Sequence, residues 1–408
     1  MRAEEPEIRF TVDARTATPH FPGIGRYVSN LVKHLPAQMA AHEQLLVINP
    51  PRLGSAYSVT DPSETRPDLE KPRKEEEARA ARVQTPSTPF SLSQQWAIPR
   101  LLQRRHSTIY HSPYYLMPYW TRTPTVLTVY DLIPHLLPHT CSWQARIGFR
   151  FALRAALKAA DRVICISAAT RKDLVQYFHV SEGRIRTIPL AVDPQFQPGS
   201  EAVRTALRQR YTLPDPYLLY VGTLKPHKNL ARLVQAHNAV MAQARTGGQP
   251  VPSLVFAGPW ERADAPYQAL LATSADPASI KGLGHIPDAD LPALYASALG
   301  FVYPSLYEGF GLPVLEAMAC GTPVICSCVS SLPEVAGAAA VLIDPNSIPS
   351  MAEALTALVG KPELRNELSV KGLQRSRQFS WQRTASETVG VYRELALARN
   401  RQGGRVQG

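Results

Sequence analysis

Two glutamates bracket a glycine-rich segment in the C-terminal half of the chain. The segment runs YPSLYEGFGLPVLEAMACGTPVI (303–325), and seven residues separate Glu308 from Glu316. A strand pattern ends before the glycines, and a short helix pattern begins near Pro313 and stops at Gly321, as the proline and glycine preferences of helix ends predict. Unpaired peptide N–H groups at a helix N-terminus favour a bound anion. The loop that we expect to bind a phosphate consists of Gly309, Phe310, Gly311 and Leu312.

The two glutamates indicate what else this site binds. A carboxylate beside a diphosphate is repelled unless it has hydroxyl groups to accept hydrogen bonds from. Ribose and hexose hydroxyls are such donors, so a nucleotide diphosphate sugar satisfies both the amides and the two acids. Taken singly, Glu316 also fits a solvated helix position, and Glu308 fits a loop acid favoured by the nearby helix N-terminus. The combination with the glycine loop favours the sugar-nucleotide interpretation.

A second group of polar residues follows another strand pattern, in YLLYVGTLKPHKNLARLVQA (217–236). Thr223, Lys225 and Lys228 lie between this strand and the next helix pattern. Cations at the carboxyl end of a sheet stabilise a leaving diphosphate, whose negative charge grows as the glycosidic bond breaks. The alternative is a set of surface lysines, which the dipole of a helix start disfavours. We expect Lys228 to be the catalytic cation.

Two segments in the N-terminal half also carry residues that could do chemistry. Gly23 and Gly25 follow the first strand pattern and open an apolar-faced helix. Because position 28 is Val28, the dinucleotide-binding G-x-G-x-x-G is incomplete, and a structural turn is the alternative. Tyr130 and Asp131 stand at the end of a predicted strand. Tyr130 fits hydrogen bonding and simple packing equally well.

The elements that position these residues form two series of apolar, β-branched runs that alternate with helix patterns. The runs cover residues 8–14, 44–49, 107–112, 125–131, 161–167 and 184–190, and then 217–223, 253–258, 279–284, 300–305, 323–328 and 339–344. Continuous apolar strands separated by helices indicate parallel sheets covered on both faces. Prolines and polar residues at 192–200 interrupt the pattern, so we predict two doubly wound domains.

These patterns set the predicted domain bounds. We expect an N-terminal domain over residues 1–195 and a C-terminal domain over 196–378. Residues 57–89 are rich in charge and proline and predict a mobile surface excursion. Residues 379–408 predict a helix that packs back on the N-terminal domain, followed by a frayed tail.

The nonapeptide EGFGLPVLE (308–316) and the segment GTLKPHKNL (222–230) resemble the signatures of glycosyltransferase family 4. The resemblance covers residues 8–395 except the excursion, and is greatest to bacterial mannosyltransferases. It implies the GT-B fold of class α/β. In this fold two Rossmann-like domains with parallel sheets face an interdomain cleft, and a C-terminal helix crosses back to the N-domain.

The resemblance implies a retaining glycosyltransferase that needs no metal and no other cofactor. Its donor is a nucleotide diphosphate sugar bound mainly by the C-domain, and its acceptor is a hydroxyl of a glycan or lipid-linked molecule bound mainly by the N-domain. GDP-mannose is the leading donor, and UDP-glucose or another hexose is the alternative. A nucleotide-sugar epimerase and a non-catalytic sugar-binding relative are the competing classes.

The resemblance also assigns roles to residues. Glu308 would contact sugar hydroxyls, Glu316 the ribose, and the amides of the glycine loop the sugar and diphosphate. Lys228 would stabilise the departing phosphate, and Lys225 would partly replace an arginine that many members have where this chain has Thr223. The residues predicted to be catalytic are Lys228, Glu308, Asp131 and Tyr130, and those predicted to bind the donor are Gly23, Gly25, Thr223, Lys225, Gly309, Phe310, Gly311, Leu312 and Glu316.

The Tyr130 position departs from the family, because members commonly have histidine there. The role of that histidine therefore does not carry over intact to this chain. Gly23 and Gly25 match a loop that faces the donor phosphates and the acceptor in the family.

Composition limits the partners. The formal net charge is +11, which attracts anions, but the chain lacks zinc-finger spacing and aromatic RNA-binding patterns, so we expect no nucleic acid. We see no apolar run near the ~20 residues that span a bilayer and no secretory signal, so we expect a cytoplasmic protein. Basic residues recur every four positions at Arg146, Arg150, Arg154 and Lys158. They predict either a solvated helix face or peripheral contact with an anionic membrane at its inner face.

Two short motifs resemble functional ones but favour structural roles. Asp288 and Asp290 form a D-x-D pattern directly before a helix pattern, where acids cap and complement the dipole, and we expect no metal there. Ser331 and Glu334 match an S-x-x-E capping box.

Overall fold

Two parallel β-sheets form the framework of the protein. A computed structural model describes residues 7–18, 22–50, 80–247 and 251–403. The chain divides into unit 1, comprising Met1–His135, Trp143–Leu190 and Trp381–Gly408, and unit 2, comprising Leu136–Ser142 and Ala191–Ser380. Each unit contains one of the sheets.

Every strand except β3 coincides with an apolar run of the sequence. In unit 1 they are β1 Ile8–Asp13, β2 Glu43–Asn49, β3 Ala80–Gln84, β4 Ile109–Ser112, β5 Thr125–Val129, β6 Arg162–Cys165 and β7 Ile185–Thr187. In unit 2 they are β8 Tyr217–Val221, β9 Ser253–Ala257, β10 Ile280–Gly284, β11 Gly300–Tyr303, β12 Val324–Ser327 and β13 Ala340–Ile343.

Helices connect most successive strands, as is usual between parallel strands, although residues 113–124 join β4 to β5 without a helix. Up to the boundary between the units they are α1 Pro22–His34, α2 Gln94–Arg104, α3 Ile133–Leu136, α4 Trp143–Ala159 and α5 Ala168–Phe178. The helices that follow are α6 Glu201–Tyr211, α7 Leu230–Gly247, α8 Ala265–Thr273, α9 Leu291–Ala296, α10 Leu312–Ala319, α11 Leu332–Ala336, α12 Ile348–Gly360, α13 Pro362–Ser376 and α14 Trp381–Gly403.

Both sheets follow the same doubly wound order. The strand order is β3-β2-β1-β4-β5-β6-β7 in unit 1 and β10-β9-β8-β11-β12-β13 in unit 2, and every pair is parallel. The order reverses between β1 and β4 and again between β8 and β11. Such reversals leave a crevice at the carboxyl ends of the strands, where ligands bind in open α/β sheets.

The terminal helix α14 packs in unit 1, although it follows unit 2 in sequence. Tyr392 Oη lies 2.6 Å from Nδ1 of buried His111 on β4. The Arg393 guanidinium lies 2.7 Å from both carboxylate oxygens of Glu43. Burial raises the pKa of Glu43, but the hydrogen bonds from Arg393 and from the Ala40 amide, together with nearby positive charge, lower that pKa overall. The predicted class is confirmed: α/β with two Rossmann-like domains and a terminal helix that returns to the first one.

The C-terminal end of the excursion predicted over residues 57–89 is wrong. Residues 57–79 lie outside the described residues, but Ala80–Gln84 pairs with β2 as an edge strand. The sequence ARVQ has few large aliphatic residues, and this edge strand is held by backbone hydrogen bonds to β2 more than by burial of its side chains. Of the predicted frayed tail, residues 404–408 also lie outside the described part.

None of the described helices is both long and apolar enough to cross a membrane.

We predict that His111 makes unit 1 sensitive to acid. Burial lowers the pKa of this imidazole to about 3, whereas an unfolded histidine titrates near 6.5. The unfolded state therefore binds the extra proton first, so stability is full above pH 6.5 and falls as the pH drops toward 3. The loss is about 1.4 kcal/mol per pH unit in this window.

The comparison is between urea denaturation of the wild type and His111→Gln at pH 7.5, 5.5 and 4.5. The variant keeps a neutral polar side chain, so the free energy of unfolding should fall less steeply with acid than in the wild type. Parallel pH slopes for the two proteins would contradict the assignment.

Candidate functional site

The site lies at the carboxyl ends of β8 and β11 in unit 2. These strands pair directly, with Leu218 opposite Gly300 and Leu219 opposite Phe301. The chain then leaves β8 toward β9 on one side and leaves β11 toward β12 on the other. The loops after β8 and β11 therefore border the crevice of this sheet, and they carry Lys228 and Glu308 respectively.

Lys228 is held between two side chains from the β11 segment. Its Nζ donates to the Tyr303 hydroxyl at 2.8 Å and to Glu308 Oε1 at 2.6 Å. The two charged side chains are only 12% and 10% exposed, so water screens their attraction far less than that of a surface pair. The ammonium is thereby fixed in one place, with one carboxylate beside it.

Stacked aromatic rings fix the position of Tyr303, the hydroxyl partner of Lys228. Tyr303 stacks on Tyr220, with ring centroids 5.9 Å apart, and on Phe301 at 5.7 Å. Burial, followed by the nearby carboxylates of Glu308 and Glu316, raises the pKa of Tyr303 well above its ordinary value. Tyr303 therefore remains a neutral hydroxyl that accepts from Lys228.

Asn229 fixes the loop that carries Lys228. It adopts the left-handed conformation with φ 62°, which asparagine tolerates better than most residues. Its buried amide nitrogen donates to the carbonyl oxygens of Pro304 at 3.0 Å and Pro345 at 2.6 Å. In addition, Leu306 N donates to His227 O at 2.8 Å. The loops after β8, β11 and β13 are therefore joined.

The glycine loop leads into α10 as the sequence predicts. Gly311 is the N-cap residue at φ 103° and ψ 45°, and Gly321 beyond the helix has φ 75°, both in the region that favours glycine. Gly309, Phe310 and Gly311 are buried. No acceptor for the amides of Gly309 to Leu312 is found within the described residues. Buried amides without partners are unfavourable, so this loop is suited to an anionic ligand.

Two serines before α11 hold the glycine loop in position. Ser330 Oγ accepts from Glu308 N at 2.9 Å. The hydroxyl of fully buried Ser331 lies 2.9 Å from Glu308 O and 2.8 Å from Phe310 O, and shares its proton between them. The predicted capping box at Ser331 is therefore wrong, because this hydroxyl makes no cap bond to α11. The tertiary contact with the loop uses its hydrogen-bonding capacity instead.

Glu316 projects from the second turn of α10 and is buried, with 4% of its surface exposed. Its Oε2 accepts from the Tyr295 hydroxyl at 2.9 Å. Burial and then the Glu316 charge raise the pKa of Tyr295 well above its ordinary value. Glu316 is thus an oriented carboxylate, which rules out the solvated-helix interpretation.

The remaining predicted residues of unit 2 surround the turn after β8. The Tyr220 hydroxyl donates to Thr223 O at 2.7 Å and so fixes this turn. Lys225 is exposed at the start of a 3₁₀ turn, Pro226–Lys228. Buried His227 has its pKa lowered to about 4, by burial and then by the charge of Lys228.

Of the predicted residues of unit 1, Tyr130 and Asp131 directly follow β5. Gly23 and Gly25 belong to the first turn of α1. Tyr130 packs against Tyr27 with ring centroids 5.5 Å apart, and its buried hydroxyl has no partner in the described part of the chain. Asp131 Oδ1 accepts from Ile133 N at 2.9 Å, at the start of α3. The contact between the rings of Tyr130 and Tyr27 favours the interpretation that Tyr130 is a packing residue.

Asp290 of the D-x-D motif has a structural role, but its side chain does not cap the helix as the sequence predicts. Asp290 occupies the N-cap position of α9 but makes no cap bond. Its Oδ2 instead accepts from Arg210 at 3.1 Å and from the Tyr211 hydroxyl at 2.6 Å. The capping prediction is wrong in this respect. No cluster of three or more histidine, cysteine or acidic residues suited to a metal occurs in the described ranges.

Sequence reasoning missed the residues that position the site, namely Tyr303, Ser330, Ser331 and Tyr295. Tyr303 ends a strand and Ser331 precedes a helix, and both have ordinary structural explanations at the sequence level. Only the strand-end position of Tyr303 gave a signal, because residues there face the crevice.

Two family profiles match the chain. The family described as Glycosyltransferase Family 4 matches residues 22–196, and that described as Glycosyl transferases group 1 matches residues 203–375. The second range contains Lys228, Glu308 and Glu316.

Similar proteins include two from Escherichia coli. The O-antigen chain mannosyltransferase B is 34% identical over 288 residues, which are 70% of this chain and 74% of that protein. The serotype-specific mannosyltransferase WbdA is 28% identical over 66% of this chain, but only 33% of WbdA is covered. This chain therefore spans about a third of the length of WbdA.

A solved structure with the same fold is sucrose-phosphate synthase from Thermosynechococcus elongatus. Its TM-score is 0.71 at 22% sequence identity, covering 96% of this chain and 100% of that one. At this identity the likeness concerns the fold alone.

We predict that Gly311→Ala disrupts the glycine loop. Alanine at φ 103° is strained, at about 1–3 kcal/mol, and its Cβ would lie 2.6 Å from Cδ2 of fully buried Leu332. We expect a lower melting temperature and at least tenfold weaker binding of a nucleoside diphosphate by calorimetry.

The matched control is Gly360→Ala. Gly360 ends α12, and no atom beyond the neighbouring helix backbone lies within 4 Å of where the alanine methyl group would be. This variant should melt and bind like the wild type. Equal behaviour of both variants would contradict the role of the Gly311 conformation.

Proposed function

The chain belongs to glycosyltransferase family 4 and is a glycosyltransferase, and from this premise we propose that it transfers mannose from GDP-mannose. The acceptor in this proposal is a hydroxyl of a glycan or lipid-linked molecule, and the anomeric configuration is retained. The sugar assignment is supported by the relatives of 28% and 34% identity, both of which are named mannosyltransferases.

One observation carries the proposal for this site. The Lys228 ammonium, the Glu308 carboxylate and the unpaired amides of the glycine loop all belong to loops that border one crevice. A diphosphate matches the amides and the ammonium, and sugar hydroxyls match the carboxylates of Glu308 and Glu316.

The geometry suggests how the chain would promote the reaction. As the glycosidic bond breaks, negative charge develops on the leaving diphosphate. Lys228 and the dipole of α10 stabilise that charge without reorganising, because Tyr303, Glu308 and Ser331 already hold them in place. A phosphate oxygen of the leaving group takes the acceptor proton as the new bond forms on the same face of the sugar.

This arrangement supplies the positive charge from the protein itself, so we expect transfer to continue in the presence of EDTA. Loss of transfer in EDTA that is restored by a divalent cation would contradict metal independence.

The donor is tested by a thermal-shift panel of nucleotide sugars, followed by nucleotide release with crude lipid and glycan acceptors. GDP-mannose should give the largest shift, and GDP release should require an acceptor. A preference for UDP-glucose would overturn the mannose assignment, and conversion of donor without acceptor would indicate an epimerase. Proton NMR of the first product tests retention, which an inverted anomer would refute.

We predict that Lys228→Met and Glu308→Gln each lower kcat/KM by about 10²–10³-fold. The methionine removes the charge that faces the leaving group. The glutamine removes an acceptor for sugar hydroxyls and leaves Lys228 with a weaker partner. Initial rates of nucleotide release, measured over a range of donor concentrations, give kcat and KM separately.

Lys371→Met is the control, because Lys371 also pairs with a glutamate, Glu367, but on an exposed helix face of the same unit. Such surface pairs contribute little, so this variant should keep wild-type rates. Activity of Lys228→Met within threefold of the control would refute the catalytic role of the ammonium.

A further inference from the structure

Helix α4 in unit 1 has a second apolar face. Phe149, Leu153, Ala156 and Leu157 are buried on its inner face. On the outward face Trp143, Ile147 and Phe151 recur every four residues and are 63%, 42% and 69% exposed. Single exposed apolar residues are ordinary, whereas an ordered outward ridge indicates a surface that binds something.

The charges on this helix are all of one sign. Its seventeen residues include Arg146, Arg150, Arg154 and Lys158 and no aspartate or glutamate. Arg154 and Lys158 are exposed and continue the line of the outward ridge. The face is therefore apolar in its first half and cationic in its second half, which is typical of helices that lie at a membrane interface.

Two segments near α4 also expose large apolar side chains. Trp96 and Trp120 are 59% and 77% exposed, and hydrogen bonds join the residues beside them, since Tyr119 N donates to Gln95 Oε1 at 2.9 Å. The ring of Tyr115, in the same segment, lies 5.1 Å from that of Phe149 in α4. Together with Trp143, three of the five tryptophans are thus exposed on adjoining parts of one unit. Tryptophan prefers the boundary between apolar and aqueous phases.

The same stretch of sequence carries most of the excess charge of the chain. Residues 80–160 contain nine arginines and lysines and a single acid, Asp131, which gives a net charge of nine minus one, or +8. The whole chain has +11. Exposed tryptophans beside such a charge fit anionic lipid, whose headgroups pair with the basic residues while the rings enter the headgroup boundary.

We propose that this face docks the protein on an anionic membrane surface. The docking face consists of Trp143, Ile147 and Phe151, flanked by Arg154 and Lys158, and exposed Trp96 and Trp120 belong to segments that pack against α4 or against each other in the same unit. This inference is independent of the proposed transfer reaction, because none of these residues belongs to the site in unit 2.

The test is co-sedimentation of the full chain with vesicles of phosphatidylcholine, either alone or with phosphatidylglycerol. The wild type should bind the mixed vesicles at low salt, bind pure phosphatidylcholine at least tenfold less, and lose affinity in high salt. Tryptophan fluorescence should shift to shorter wavelength on binding.

Two variants separate the contribution of the apolar residues of the docking face from that of its basic residues. The triple variant Trp143→Ser, Ile147→Ser, Phe151→Ser should bind mixed vesicles at least tenfold less while keeping its melting temperature and nucleotide release. Arg154→Glu with Lys158→Glu should lose the preference for phosphatidylglycerol. Leu397→Ser is the control, because Leu397 is 58% exposed in α14 of the same unit, outside the docking face, and it should bind like the wild type.

Several outcomes would overturn the proposal. The first is equal binding of the wild type to both kinds of vesicle, and the second is wild-type binding by the triple variant. The third is a wild type that does not bind mixed vesicles because it forms a dimer through the docking face. Binding to single-stranded RNA in preference to mixed vesicles would also refute it.

Discussion

The contact on which the site depends is the short hydrogen-bonded ion pair between the Lys228 ammonium and the Glu308 carboxylate, completed by the Tyr303 hydroxyl. It joins two loops that are 80 residues apart in sequence. Because the pair is largely removed from water, the position of each charge is fixed before any ligand arrives. A preorganised charge stabilises a developing anion without the cost of reorienting solvent. The unit 2 sheet is arranged so that this contact forms at its reversal point.

The other contacts of the site serve the same end by different means. Asn229 joins its own loop to two others through one side chain. Ser331 uses its hydroxyl to hold the carbonyl groups of the glycine loop, which turns the loop amides away from internal acceptors. Gly311 permits a backbone conformation that other residues strain to adopt. Apart from the Lys228–Glu308 pair itself, the amides, the cation and the carboxylates are therefore positioned by neutral residues that need not contact a ligand.

The two units have distinct surface chemistry. The residues that we propose to be catalytic and that have the strongest structural support lie in unit 2, while the exposed tryptophans and the excess positive charge lie chiefly in unit 1. A protein that acts on lipid-linked acceptors gains effective concentration by residing where they are, since confinement to a surface replaces a search in solution. The docking face and the transfer site are thus separable properties that serve one proposed activity.

The sequence by itself determined the two strand series, the glycine loop before α10 and the two acids around it. These features depend on local periodicity and on the conformations of proline and glycine, which a short window of sequence contains. Tertiary structure alone decided that Tyr303 meets Lys228, that Ser331 serves the loop instead of capping α11, that Asp290 pairs with Arg210, and that Ala80–Gln84 completes a sheet. It also decided that the ridge of α4 faces outward. Each of these contacts joins residues that are distant in sequence. A polar or apolar side chain could pair equally well with many other residues, and only the fold determines which of them lies next to it.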